Sequence, residues 1–215
     1  MITKDNIYVY IFSWKKVTQN AIDLHKNVSN YFKNTIIINC DENVNIENSI
    51  QLNDHFYYGG QFDIAIKNIP EGNILCIITG DVSPNADWEK ISINSINAFN
   101  SNKIGIYAPN VDVTGHPSRN KLLWDELYTV NNTDCTCWFI LPEIVSHLKN
   151  IPYYEISNLG WGIDQIFIQE SNKIQKYVVR DYSVCVEQPP GTGYNTEIAK
   201  LENIKLIEYY VNNYA

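Results

Sequence analysis

Two aspartates stand just beyond apolar, strand-like runs. Asp81 follows Ile74 to Thr79 (ILCIIT) through Gly80, and Asp41 follows Thr35 to Asn39 (TIIIN) through Cys40. A third such run, Asn6 to Ser13 (NIYVYIFS), ends in Phe12-Ser13-Trp14. A carboxylate is a hard oxygen ligand for a divalent cation and an acceptor for hydrogen bonds, and an aromatic face stacks on a planar ring. In open α/β sheets, ligands bind beyond the carboxyl ends of the strands. Three such ends side by side would frame a crevice of nucleotide size. Trp14 and Phe12 would offer faces to a base, Asp41 would bond its edge, and Asp81 would hold phosphate through a metal. Phe12 and Ser13 are expected to act more through backbone than through side chain. A third carboxylate, Asp164, follows Gly160-Trp161-Gly162 at the start of a helical pattern. Asp is also a favoured helix N-cap, so that position has a structural use as well as a chemical one. The glycines flanking Trp161 make it a candidate platform for the apolar face of a sugar.

Familiar phosphate and nucleophile motifs are missing. There is no GxxxxGK[ST] and no GxSxG, and Gly191-Thr192-Gly193 begins a GxGxxG pattern that Thr196 fails to complete. Cys135-Thr136-Cys137 is one residue too tight for the usual zinc pair and has no second pair to match it. His116 and Arg119 lie in a polar stretch where a diphosphate contact is conceivable but a solvated loop is the simpler expectation, and His25, His55 and His147 look structural or exposed.

The elements that must position these residues follow from periodicity. Strands are expected over 6–13, 35–39, 49–52, 74–79, 103–108, 126–130, 136–140 and 177–186. Val17, Ala21, Leu24, Val28 and Tyr31 step by four and three along one face of a helix. Further helices are expected after Gly59-Gly60, over 88–99, from Pro142, over 163–175 and over 196–212, the last on an apolar stripe of Ile198, Leu201, Ile204, Ile207 and Val211. Residues 109–125 read as a long polar loop. Strand and helix alternate through the first hundred residues, the signature of parallel strands covered by helices. The expectation is one α/β domain over 1–215 with a mixed, mostly parallel sheet and helices on both faces. Its nucleotide-binding half would be 1–108, and its acceptor-binding and catalytic half 109–215.

Composition narrows the functions. The chain has 215 residues, with 16 Lys+Arg against 24 Asp+Glu and a net charge of -8. That balance disfavours nucleic acid and anionic membrane surfaces, both of which need clustered cations. The apolar runs are too short to span a bilayer, and the first residues lack the layout of a signal peptide. Five scattered cysteines fit a reducing compartment, so a soluble cytoplasmic protein is expected.

The order of motifs resembles the GT-A glycosyltransferases, in particular the family 2-like enzymes. Gly59-Gly60-Gln61-Phe62-Asp63-Ile64-Ala65, an apolar strand and Thr79-Gly80-Asp81-Val82 resemble the helix and strand that lead to the DXD motif. Gly160-Trp161-Gly162-Ile163-Asp164 resembles the GWG-x-D segment, and Val184 to Tyr194 (VCVEQPPGTGY) the strand and loop that close the site. The resemblance covers about residues 6–194. It implies a glycosyltransferase moving a sugar from a nucleotide sugar, first of all a UDP-sugar, to a hydroxyl of a glycan or other acceptor. It implies donor contacts at Gly60, Thr79 and Asp81 beside Phe12, Ser13, Trp14 and Asp41. Trp161 and Gly162 would meet the acceptor, and Asp164, kept ionised by its helix dipole, would be the catalytic base if the reaction inverts the anomeric centre, or would position the donor if it retains it. Mn²⁺ or Mg²⁺ would be held at Asp81 and Gln188. The chain departs from the pattern in two places: Thr79 replaces the first Asp of DXD, and Gln188, beside Glu187, occupies the position where the family often has a metal-binding His. Those departures favour an alternative, a non-catalytic GT-A-like domain that binds a nucleotide sugar or glycan. A nucleotidyltransferase would want a glycine-rich loop after strand one, where this chain has Ser13-Trp14-Lys15-Lys16.

Overall fold

The first strand shows how the molecule is layered. In β1 (Ile7–Ser13), Ile7, Val9 and Ile11 face one way and Tyr8, Tyr10 and Phe12 the other, as the two-residue period of a strand requires. Both sets are apolar because both faces are covered. The first face packs on α1 (Thr18–Val28) and α3 (Trp88–Asn100), through Ala21, Leu24, Val28, Trp88 and Ile91. The second packs on α2 (Tyr58–Asn68), α4 (Pro142–Leu148) and α6 (Ile163–Lys173), through Phe62, Ala65, Ile66, Ile144 and Phe167. This computed structural model describes residues 1–112, 119–133, 135–189 and 195–214.

The remaining strands are β2 (Asn34–Asn39), β3 (Ile50–Gln51), β4 (Ile74–Thr79), β5 (Ile104–Val111), β6 (Lys121–Trp124), β7 (Leu127–Thr129), β8 (Cys137–Ile140) and β9 (Tyr177–Val186). They form one sheet in the order β3-β2-β1-β4-β8-β5-β9-β7-β6. The strands β3, β2, β1 and β4 run parallel, β8 lies antiparallel between β4 and β5, and β9 returns parallel to β5. The sheet is mixed with helices on both faces, as expected. β4 is buried at all six positions, which accounts for its unbroken apolar run. Because β1 is flanked by β2 on one side and β4 on the other, the chain reverses its direction of winding there. The carboxyl ends of these strands therefore lie at the topological switch point, where ligands of open α/β sheets bind.

Three expectations are corrected. Residues 109–125 are not one loop: β5 runs on to Val111, and β6 pairs with β7 in a hairpin. The turn residues Asp125 (φ 41°) and Glu126 (φ 65°) both take the left-handed conformation that a two-residue hairpin turn requires. Nothing in the pair Asp-Glu announces that, since Asn-Gly or Asp-Gly is the usual signal. A short helix, α5 (Tyr153–Ile156), was not anticipated. The tail helix α7 (Thr196–Tyr214) forms, but it buries Ala199, Leu206 and Tyr210. The expected core stripe instead lies outward: Ile198, Leu201, Ile204 and Val211 are each about half exposed or more, at 49%, 60%, 53% and 53%. Among the described residues no helix is long and apolar enough to cross a membrane.

Helix α2 begins against the segment that precedes α6. The Gly59 amide donates to the Asn158 carbonyl at 2.8 Å, and a Cβ at Gly59 would lie 1.8 Å from the Ser157 carbonyl oxygen. Backbone cannot yield there as a flexible side chain would. Gly59→Ala should therefore cost about 1–3 kcal/mol of stability, read as a lower urea midpoint at unchanged slope. An unaltered midpoint would show this contact to be slack.

Candidate functional site

The ends of β1 and β4 meet without room for a side chain. The Gly80 amide donates to the Phe12 carbonyl at 2.7 Å, and a Cβ at Gly80 would sit 2.5 Å from that oxygen. Asn20, on the first turns of α1, donates its side-chain amide to the carbonyls of Gly80 and Val82, both at 2.7 Å. Asp81 is thereby presented on a loop fixed from two sides. Ser13 and Thr79 are buried at these strand ends, and the hydroxyl of each lacks a hydrogen-bond partner. The register pairs Phe12 with Thr79, so Thr79 points to the face of Phe12 and Ser13 to the opposite one. Phe12 itself is core: it is 1% exposed and its ring packs edge-on against Tyr58 at 5.1 Å. Its side chain presents no open face to a base, whereas Trp14 is half-buried at the mouth.

Asp41 is 4% exposed and heavily engaged. Thr18 donates its hydroxyl to Oδ2 at 2.9 Å, and Asn43 donates its backbone amide to Oδ1 at 3.0 Å. Asn39 braces the same turn, its side-chain amide reaching the carbonyls of Asp41 and Val44 and Oε1 of Gln51. The carboxylate thus ties the end of β2 to the start of α1.

The Asp81 carboxylate is met by Gln188, just beyond β9. Gln188 Nε2 lies 3.1 Å from both carboxylate oxygens, while its Oε1 accepts from the Thr136 hydroxyl at 3.0 Å. The Gln188 amide donates to Asp112 Oδ1 at 3.0 Å, and the Ser83 amide to the Glu187 carbonyl at 2.8 Å. Two residues far apart in the chain and expected to share a metal are therefore together, but joined directly. As a donor set for Mn²⁺ or Mg²⁺ this fits poorly. Such ions take several oxygen ligands, commonly carboxylates, whereas here both oxygens of the carboxylate accept from an N–H group. Among the described residues no three His, Cys, Asp or Glu side chains converge on one point.

The other side of the site is the turn into α6. Gly160 (φ 88°) and Gly162 (φ 92°) are both left-handed, and each is pressed by a neighbour. A Cβ at Gly160 would meet the Tyr58 ring at 2.5 Å, and one at Gly162 would meet Asn203 Oδ1 of α7 at 2.5 Å. Glu202 of α7 accepts from the Leu159 amide at 2.8 Å, and Ser157 donates its hydroxyl to the Trp161 carbonyl at 2.9 Å. Asp164 stands in the first turn of α6. Tyr58 donates to the Cys135 carbonyl at 2.9 Å and accepts from the Trp138 indole at 3.1 Å. Burial above all, then neighbouring Cys135 and the charge of Asp164, push its phenol well above the usual range, so it stays protonated. Gly60 faces away from the strand-end crevice: its Cβ would meet Asn158, Phe56 and Tyr154.

Asn20, Tyr58, Thr136, Glu202 and Asn203 escaped sequence reasoning. Only Tyr58 carried a signal, lying next to the Gly59-Gly60 pair. Trp138 is core, Arg119 stacks on Tyr182 at 3.8 Å, and His147 pairs with buried Glu170 at 2.8 Å. His116 and Gly191-Thr192-Gly193 lie outside the described residues.

The Asp41 contacts have a pH signature. The Thr18 hydroxyl first, helped by Asn43 and Lys15, holds its carboxyl below the ordinary value of 3.8. A folded pKa below the unfolded one stabilises the fold above pH 3.8, and that stabilisation is lost as pH falls through the depressed value. Thr18→Ala should raise the Asp41 carboxyl pKa, followed by NMR, and move acid unfolding to higher pH. An unshifted carboxyl titration would refute the assignment.

No family model and no curated protein matches the sequence. Solved structures do match. A crystal structure of GalNAc-T7 with UDP, GalNAc and Mn²⁺ aligns with TM-score 0.57 and 10% identity over 96% of this chain. The chain spans about half of that protein, 51% of its length. A UDP-glucose pyrophosphorylase from Acinetobacter baumanii aligns with TM-score 0.51 and 12% identity, over 98% of this chain and 93% of that one. At such identity the likeness is one of architecture, and the architecture is GT-A-like.

Proposed function

We propose that this protein transfers a sugar from a nucleotide sugar, first of all a UDP-sugar, to a hydroxyl of a glycan or other acceptor. The observation that carries the reading is one continuous contact path between its two sides. The Tyr58 ring touches Phe12 at the end of β1 and Gly160 before α6. Its hydroxyl bonds the Cys135 carbonyl, and the adjacent Thr136 holds Gln188 on Asp81. In this reading residues 1–108 hold the nucleotide around Ser13, Trp14, Asp41, Thr79 and Asp81, and residues 109–215 supply the acceptor side. Trp161 and Gly162 would meet the acceptor. Its hydroxyl oxygen bonds the anomeric carbon as the bond from that carbon to the diphosphate oxygen breaks. The nucleoside diphosphate leaves with the electron pair, and Asp164 takes the hydroxyl proton. Direct attack of this kind inverts the anomeric centre. The GalNAc-T7 structure contains Mn²⁺, which keeps a divalent ion a candidate here. The hydrogen bonds that Gln188 gives Asp81 occupy the side of the carboxylate that such an ion would share with Gln188, and no step above depends on one. The five cysteines form no disulfide, which favours a cytoplasmic setting.

The pyrophosphorylase match, nearly end to end, favours a second reading: nucleotidyl transfer that releases pyrophosphate from a nucleoside triphosphate and a sugar phosphate.

Thermal melting against UDP, GDP, dTDP and CDP tests the donor site. A ligand at a hundredfold excess over its Kd adds about 2.7 kcal/mol of stability. One nucleotide should raise the melting temperature selectively, and no shift with any of them would overturn the reading. Asp164→Asn should retain that shift while losing about 10²–10⁴-fold in sugar transfer. A parent that binds a nucleotide but transfers no sugar would be a binding domain, a variant that transfers as well as the parent would remove Asp164 from the role of base, and pyrophosphate release would move the assignment to nucleotidyl transfer.

A further inference from the structure

We infer that the site binds its nucleoside diphosphate without a divalent ion, because the Gln188 amide already occupies the hydrogen-bonding face of Asp81 that an ion would need. The inference rests on the nucleotide-sugar reading above and goes beyond it. A carboxylate only accepts hydrogen bonds, so the group 3.1 Å from both its oxygens has to be the amide nitrogen. The other end of the amide is consistent with this, its Oε1 accepting from the Thr136 hydroxyl at 3.0 Å. An ion between Asp81 and Gln188 would require the amide to turn over, losing both bonds to Asp81, and the Thr136 hydroxyl to become an acceptor. Withdrawal of Gln188 is opposed as well, because its backbone N–H donates to Asp112 Oδ1 and the preceding carbonyl accepts from the Ser83 N–H. The charge of the diphosphate then has to be met by side chains. Lys15 and Lys16 are exposed on the turn between β1 and α1, and the next residue, Val17, would lie 3.2 Å from a Cβ on Gly80. Val17 thus brings the turn that carries these two lysines beside the loop that carries Asp81, at the carboxyl edge where a diphosphate would lie.

Calorimetric titration of the whole chain with UDP, GDP, dTDP and CDP, once in EDTA and once in Mn²⁺, tests this directly. The nucleotide that binds should do so with a Kd in EDTA within about threefold of that in Mn²⁺, whereas a metal bridge worth several kcal/mol would open a gap of about a hundredfold or more. Lys15→Ala with Lys16→Ala should weaken binding in EDTA about tenfold or more, the loss that each 1.4 kcal/mol represents. Gln188→His exchanges the donating amide for an imidazole with a metal-ligating nitrogen and should make binding depend on Mn²⁺. If the unaltered protein binds only with Mn²⁺, the inference fails and the nucleotide-sugar reading stands. If no nucleotide binds in either buffer, the reading fails and takes the inference with it. The comparison on the unaltered protein decides the matter even if a variant does not fold.

Discussion

Tyr58 is the residue on which the arrangement turns. It opens α2, and its ring is caught between Phe12 on the sheet and the left-handed Gly160 ahead of α6. Its hydroxyl is satisfied twice, giving a hydrogen bond to the Cys135 carbonyl and taking one from the Trp138 indole. A buried polar group left unpaired is costly, so full pairing is what permits a phenol to sit here. Aromatic packing continues behind it, with Phe62 against Trp138, Tyr153 and Phe167. The distance between the Asp81 loop and the Asp164 turn is set by stacked rings and not by a flexible connection.

The two sides are held by different means. Around Asp81 the ties are polar: Asn20 on the loop carbonyls, Gln188 on the carboxylate, Thr136 on Gln188. Around Asp164 they are steric, with glycines at 160 and 162 admitting Tyr58 from one side and Asn203 from the other. Helix α7 matters to this second side out of proportion to its contact with the core. Glu202 and Asn203 rest on the turn, while Tyr210 anchors the helix by donating to buried Glu170.

Much of this was legible in the sequence, and the failures have physical causes. β1 and β4 are near-continuous apolar runs and α2 and α3 carry 3.6-residue periodicity, and they formed as expected. Asp81 and Gln188 were both named, yet whether they share an ion or a hydrogen bond depends on a side-chain orientation that spacing does not encode. The β6–β7 hairpin was hidden because Asp125 and Glu126 adopt positive φ without the usual Gly or Asn. On α7 the apolar stripe pointed to the wrong face: Ala199, Leu206 and Tyr210 pack inward, while Ile198, Leu201, Ile204 and Val211 face out. Phe12 looked available because it ends a strand, whereas its ring is claimed by Tyr58. Trp161, Gly162 and Asp164 could be placed only on a helix start, and the support from α7 comes from residues some forty positions later in the chain.

The sheet order also dictates how the protein can be made. β4, apolar on both faces, leaves the ribosome with only β1 beside it, and its other edge stays bare until β8 has been synthesised. β5 emerges earlier than β8 but has no neighbour until β8 arrives, and it gains its second partner, β9, only after α6 has been made. Distant pairings of this kind slow folding and prolong the exposure of sticky edges. The nascent chain therefore carries an aggregation hazard, an unpaired ILCIIT edge, from the synthesis of β4 until that of β8.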